Sequence, residues 1–156
     1  VGKESVVINN IINEIAEELE IMPEEERFML HIDFNEQVIV DGNLSLIASI
    51  FRNLTENAIA YSGGKNIYIS LLENNDSYCT IRFEDDGCGV EEKQLPRLFE
   101  RFYRVDKGRS RQMGGTGLGL AIVKHAVQFH GGTISVTNRH QGGLQFDFTL
   151  SRHLRR

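Results

Sequence analysis

The chain has 156 residues, 40% of them apolar, enough for one buried core and too few for a second domain of ordinary size. A formal net charge of −5, with no basic run interleaved by aromatics, argues against a nucleic-acid surface. No apolar run approaches the length of a membrane span, and Cys79 and Cys88 have neither metal-ligand spacing nor disulfide-scaffold density, so a reducing, cytoplasmic compartment is expected. The sequence starts at Val1 with no signal-peptide pattern, as expected of a piece of a longer chain.

In chain order, Val7, Ile8, Ile11, Ile12, Ile15, Ala16 and Leu19 recur at helical spacing opposite Glu14, Glu17, Glu18 and Glu20, predicting an amphipathic first helix. Pro23 and the acidic residues after it end that pattern. Phe28, Leu30, Ile32 and Phe34 alternate as a half-buried strand, and a short strand over 37–40 follows. Asp41 or Asn43 can cap the next helix, in which Leu44, Ile47, Phe51, Leu54 and Ala58 form one apolar stripe. A neighbouring stripe reads Leu46, Ile50, Asn53, Asn57, so an apolar face turns into two carboxamides one helical turn apart.

Gly63-Gly64 ends that helix, and Ile67, Ile69, Leu71 then Cys79, Ile81, Phe83 alternate on either side of Asn74-Asn75-Asp76, predicting a hairpin. Residues 85–119 read mostly as loop with a short helix over 95–102, and a loop of that length is usually functional. A helix over about 117–130, with inner face Leu118, Ala121, Ile122, His125 and Phe129, is stopped by Gly131-Gly132. Ile134 and Val136, then Leu144, Phe146, Phe148 and Leu150, form a last hairpin. This order predicts an α+β fold: a two-layer α/β sandwich whose mixed, mostly antiparallel sheet is covered on one face by about three helices.

Three stretches carry chemistry. Asn53 and Asn57 offer neutral oxygens on short arms, suited to a hydrated Mg²⁺ with its phosphates, and are equally what a solvated helix face would show. Asp85, at the end of a predicted strand before Gly87 and Gly89, can accept from the exocyclic amino group of adenine, where guanine presents an oxygen; Asp-Asp-Gly is also an ordinary turn. The run from Gly114 through Gly119 enters a helix and can turn backbone N–H groups toward phosphate, or act as a hinge. It lacks the Gly-Lys-Ser/Thr of a Walker A loop, and Leu120 stands where a dinucleotide fingerprint needs its third Gly.

Two asparagines, then Asp-x-Gly-x-Gly over 85–89, then Phe-Glu-Arg-Phe-Tyr-Arg over 99–104, then Gly-Thr-Gly-Leu-Gly-Leu over 115–120, resemble the N, G1, F and G2 boxes of the ATP-binding catalytic domain of sensor histidine kinases. The resemblance covers nearly the whole chain, implies a Bergerat-type sandwich and implies ATP and Mg²⁺ as ligands. It implies that Asn57 is a Mg²⁺ ligand, that Asn53 meets phosphates or metal water, and that Asp85 binds the adenine amino group. Gly87 and Gly89 line the purine pocket, Tyr61 is the aromatic beside the nucleotide, and Arg104 stabilises the γ-phosphoryl group. Residues 105–113 are then a lid, and Gly115, Thr116, Gly117, Leu118 and Gly119 meet the phosphates. Many family members carry Lys before the aromatic; here it is Ala60, for which Arg104, Lys107 or Arg109 are the candidate replacements.

The resemblance implies a phosphoryl donor whose acceptor histidine lies on a separate helical domain of the same kinase, with a response regulator downstream. The parent is then a homodimer, often membrane-anchored, and this piece of it touches neither membrane nor nucleic acid. An ATP hydrolase of the same superfamily would carry Glu at the place of Asn53, and a non-catalytic adaptor is the third reading, favoured only by Ala60. None of the five histidines stands in an acceptor's helical His-Glu/Asp setting; His125, facing the core, and His130 read as structural.

Overall fold

Strict alternation builds the sheet. In β7 (Leu144–Ser151) the buried residues are Leu144, Phe146, Phe148 and Leu150, and in β5 (Tyr78–Asp85) they are Cys79, Ile81, Phe83 and Asp85. A period of two puts each set on one face. The two strands are antiparallel, with Ile81 opposite Phe148 and Phe83 opposite Phe146. β4 (Asn66–Asn74) pairs antiparallel with the other side of β5, β6 (Ile134–Asn138) pairs antiparallel with β7, and β2 (Met29–Asp33) runs parallel to β4. The five-stranded order is β2-β4-β5-β7-β6. This is a computed structural model, and it describes residues 4–103 and 117–153.

Among the described residues the α-helices are α1 (Ile8–Glu20), α2 (Leu44–Asn57) and α3 (Gly119–Phe129). Ile47, Ile50, Phe51 and Leu54 of α2 are fully buried, and the Phe51 ring meets Phe148 edge-on at 5.7 Å, which seats α2 on the sheet. Each such side chain contributes about 1.5–3 kcal/mol of burial. α3 and α1 both pack against α2. The architecture is the mixed-sheet α+β sandwich expected from the sequence.

A second, two-stranded sheet was not foreseen. β1 (Glu4–Val7) pairs antiparallel with β3 (Ile39–Gly42), placing buried Val6 opposite buried Val40. Val7 therefore belongs to a strand, α1 begins at Ile8, and the strand expected over 37–40 moves to Ile39–Gly42 because β1 sets its register. β2 is an edge strand, with Met29 63% and Ile32 44% exposed, and is wetter than its alternation suggests.

Three helical readings are corrected. Leu44 is 46% exposed in the first turn of α2, and Ile50, from the neighbouring stripe, is buried instead. The helix expected over 95–102 is a 3₁₀ helix over Glu92–Arg97 followed by turns; Pro96 lacks the N–H and crowds the turn before it, which opposes a regular α-helix. The inner face of α3 is Val123, Ala126 and Val127, while Ile122, His125 and Phe129 are exposed. Apolar residues lie on both sides of this helix, so periodicity alone admits two faces; the smaller side chains face inward, where α2 packs. Cys79 is buried, which pushes its thiol up to about 11, and Cys88 is exposed; both are free.

Candidate functional site

Asn43 starts α2 in an extended conformation with its side chain accepting from the Leu46 N–H at 3.0 Å. Such a cap stabilises a helix by about 1 kcal/mol. The Asn43 N–H itself donates to Nε2 of His130 at 3.0 Å, and Nδ1–H of His130 donates to the Ala126 carbonyl at 2.8 Å. One ring nitrogen accepts and the other donates, so the buried imidazole is neutral. Burial lowers its pKa, against the smaller opposing effect of the Ala126 bond.

Further along α2, Nδ2 of Asn53 donates to the Ser49 carbonyl at 2.8 Å, which fixes the carboxamide and leaves Oδ1 turned toward α3. A Cβ placed on Gly119, the first residue of α3, would lie 3.2 Å from that oxygen, so side-chain absence at Gly119 keeps the two in close approach. Asn57, half-buried, has no side-chain partner among the described residues. The helix then widens into a π turn over Ala58–Ser62 that carries half-buried Tyr61, and Gly63 closes it at φ 73°. Widened turns of this kind recur at functional sites.

Asp85 ends β5 at 2% exposure. Its Oδ1 accepts from Gly87 N–H at 2.9 Å and from Leu144 N–H at 3.3 Å, and Oδ2 has no protein partner among the described residues. Desolvation raises its pKa, and the two N–H bonds oppose that rise without cancelling it. The turn that follows rests on the end of the π turn: Cys88 N–H donates to the Ser62 carbonyl at 2.9 Å, and a Cβ on Gly87 would fall 2.2 Å from that same oxygen. Asp86 ties the turn down from the other side. Its Oδ1 accepts from Lys65 and Asn66 N–H, and its Oδ2 from Nδ2 of Asn66, all at 2.8 Å. Burial works against the Asp86 charge, but these bonds outweigh it and its pKa is lowered.

The glycine run enters α3 through Gly117, at φ 77°, and half-buried Leu118. The Phe102 N–H donates to the Gly117 carbonyl at 2.7 Å, and Phe102 is itself left-handed (φ 65°) and 64% exposed. The positive end of the α3 dipole thus opens beside Asn53. Arg104, Gly115 and Thr116, the segment 105–113, and Lys107 and Arg109 lie outside the described residues.

The structure therefore brings Asn53 against Gly119, and Asp85 against Gly87, with α2 and its π turn running between the two groups. Sequence reasoning passed over Ser62, Asp86 and Leu144, which hold the turn around Asp85 and Gly87. The Gly142-Gly143 pair before Leu144 was the available signal, since paired glycines mark a close backbone approach.

The family model described as histidine kinase-, DNA gyrase B-, and HSP90-like ATPase matches residues 42–154. The sensor protein kinase WalK of Staphylococcus haemolyticus (strain JCSC1435) is 36% identical over 152 residues, covering 96% of this chain and 25% of that protein. WalK from Staphylococcus aureus is 34% identical over 152 residues, again 96% of this chain and 36% of that sequence. The chain thus spans between a quarter and just over a third of the length of these curated relatives. Among solved structures, the catalytic domain of histidine kinase ThkA superposes with a TM-score of 0.82 at 23% identity, covering 98% of this chain and 97% of that one. The ATP binding domain of PrrB from Mycobacterium tuberculosis gives 0.76 at 24% identity, covering 96% and 97%. Those two likenesses show a shared fold. With the family model spanning most of its length and WalK relatives at more than a third identity across 96% of it, the chain belongs to the histidine kinase-, DNA gyrase B- and HSP90-like ATPase family.

Proposed function

We propose that this chain binds ATP with Mg²⁺ and donates the γ-phosphoryl group to a histidine on a separate helical domain of the same parent kinase. The observation that carries the reading is the pair of open oxygens at the two ends of one helical segment: Oδ1 of Asn53 beside the start of α3, and Oδ2 of Asp85 beside the turn that rests on Ser62. Asn53 and Ser62 stand nine positions apart, at most about 13 Å along the segment at the α-helical rise of 1.5 Å per residue. That span suits a nucleoside triphosphate lying along α2 with its base at Asp85 and its phosphates at Asn53.

In this reading Oδ2 of Asp85 accepts from the adenine amino group, with the backbone of the Gly87–Gly89 turn lining the purine slot and Tyr61 beside it. Asn53 and the N-terminus of α3, with Gly115, Thr116, Gly117, Leu118 and Gly119, hold the phosphates, and Arg104 stabilises charge on the group in transfer. The residues fit Mg²⁺ in one particular way. No cluster of three His, Cys, Asp or Glu side chains that could hold a metal exists among the described residues, whereas Asn57 has an unpartnered carboxamide. A site with so few protein ligands suits an ion held jointly with phosphates, and when bound it supplies charge neutralisation there. Glu56 is exposed while Asn53 and Asn57 are half-buried, which disfavours Glu56 as a base for hydrolysis.

Among the described residues no helix is long and apolar enough to cross a membrane. The proposal places this part of the parent in the cytoplasm, with a dimeric, membrane-anchored kinase around it and a response regulator downstream. No histidine here stands in an acceptor's His-Glu/Asp setting: His130 is buried with both nitrogens engaged, His31 stacks on Tyr68 and bonds Asn66, His153 contacts Asp41, and exposed His125 and His140 are followed by Ala126 and Gln141. Incubation with γ-labelled ATP tests the proposal. The chain alone is expected to carry no acid-labile label, and adding the parent's acceptor hairpin is expected to give label on that hairpin. Label on the isolated chain, or none on the hairpin, contradicts it.

A further inference from the structure

Asn138 is the last residue of β6, and its backbone stands opposite Leu144, the first residue of β7. Leu144 N–H donates to Oδ1 of Asp85 at 3.3 Å. The Asn138 side chain reaches the other end of the Asp85–Gly89 turn. Its Oδ1 accepts from Val90 N–H at 3.0 Å, and its Nδ2 donates to the Val90 carbonyl at 2.7 Å and to Oε2 of Glu92 at 2.7 Å. A Cβ on Gly89, which sits at φ 68°, would fall 2.4 Å from Oδ1 of Asn138, so this carboxamide occupies the space against which the glycine is folded. One rung of the β6–β7 ladder thus grips both ends of the turn.

We infer that Asn138 is a positioning residue for adenine recognition, holding Gly89 and Val90 so that the Asp85 carboxylate faces a fixed purine slot. The inference rests on the proposed ATP site and adds to it a residue that holds the turn on which the selectivity of Asp85 depends. A carboxamide meets the chemistry of this position. It must give a hydrogen to one backbone oxygen while taking one from the adjacent N–H of the same residue, and a carboxylate can do only the second. Glu92 adds to the demand, because an anion at position 138 would face another anion at 2.7 Å, where now a donor sits. The grip acts on the base end of the slot; Asn53 and the start of α3 lie along α2 from it, so phosphate contacts are untouched.

The test uses Asn138→Ala and Asn138→Asp beside the parent chain, with ATP and GTP as probes. At pH 8 both variants are expected to bind ATP about tenfold more weakly, and to lose ATP-over-GTP preference by a similar factor, with near-ultraviolet circular dichroism unchanged. Asn138→Asp should recover toward the parent as pH falls, each pH compared with parent, because the protonated acid regains a donor for the Val90 carbonyl; Asn138→Ala should not recover. Unchanged affinity and preference in folded variants overturns the inference. Amide hydrogen exchange supplies a readout that needs no nucleotide: Asn138→Ala should speed exchange at Gly87 and Val90 and leave the β4–β5 amides alone. If the parent binds no ATP but that exchange pattern appears, the nucleotide reading falls while the grip of Asn138 on the turn stands; if exchange at both amides is unchanged, the grip is refuted whatever the chain binds.

Discussion

The backbone N–H of Asn43 donates to Nε2 of His130 at 3.0 Å, so the cap of the asparagine helix and the end of the glycine-loop helix share one hydrogen bond. Protonation of His130 abolishes it, because a protonated Nε2 can no longer accept. Burial lowers the folded-state pKa, so between the unfolded value, about 6.5, and that lower value the unfolded chain binds a proton that the folded chain refuses. Stability should therefore fall as pH drops through about 6.5, by at most about 1.4 kcal/mol per pH unit from this group, and stop falling below the folded value. Urea unfolding at pH 7.5 and 5.5 checks this: His130→Gln, which cannot titrate, should show a smaller loss than the parent. Equal losses would remove His130 from the account.

Asp85→Asn separates function from stability. Desolvation raises the Asp85 pKa, so its ionised form costs stability that is recovered as pH falls through the raised folded value, completely so below the carboxyl's unfolded value; at pH 7 the cost is present. The neutral variant should unfold at an equal or higher urea concentration than the parent. Its ATP affinity should fall about ten- to hundredfold, since a charge-assisted hydrogen bond is worth about 1.5–3 kcal/mol. Calorimetry showing unchanged ATP affinity would remove Asp85 from adenine recognition.

Gly119→Ala should keep the fold and weaken the phosphate end. Ala is preferred over Gly by roughly 1 kcal/mol in a helix interior and by less at a first residue such as Gly119, but its Cβ would lie 3.2 Å from Oδ1 of Asn53 and must push that oxygen aside. ATP affinity should fall about tenfold, a loss near 1.4 kcal/mol, with adenosine affinity unchanged. Equal losses for adenosine and ATP would place Gly119 at the wrong end of the site.

Asn57→Ala removes a carboxamide with no side-chain partner among the described residues, so little stability should be lost. ATP titrations with and without Mg²⁺ should differ for the parent and coincide for the variant. A Mg²⁺ dependence equal in both would assign the ion to other ligands.

Periodicity found the sheet almost entirely, because β5 and β7 alternate cleanly along their length and β4 does so through Ile69. It failed where burial depends on a partner distant in sequence. β1 is four residues whose strand character comes from pairing with β3, more than thirty positions away, and α3 is apolar on two sides until α2 selects one. In the site, Asn53, Asp85 and Gly119 stood out because their residue types are unusual for the element that carries them. Ser62, Asp86 and Asn138 did not, since each is an ordinary polar residue in sequence and acquires its role only through bonds to backbone groups of another segment.

The most direct measurement is calorimetric titration of this chain with ATP and, separately, with GTP in the presence of Mg²⁺. The account predicts one ATP bound per chain and GTP bound at least about tenfold more weakly, the difference set by the Asp85 carboxylate facing an amino group in one base and an oxygen in the other. No heat with ATP, or equal affinity for the two nucleotides, would contradict it.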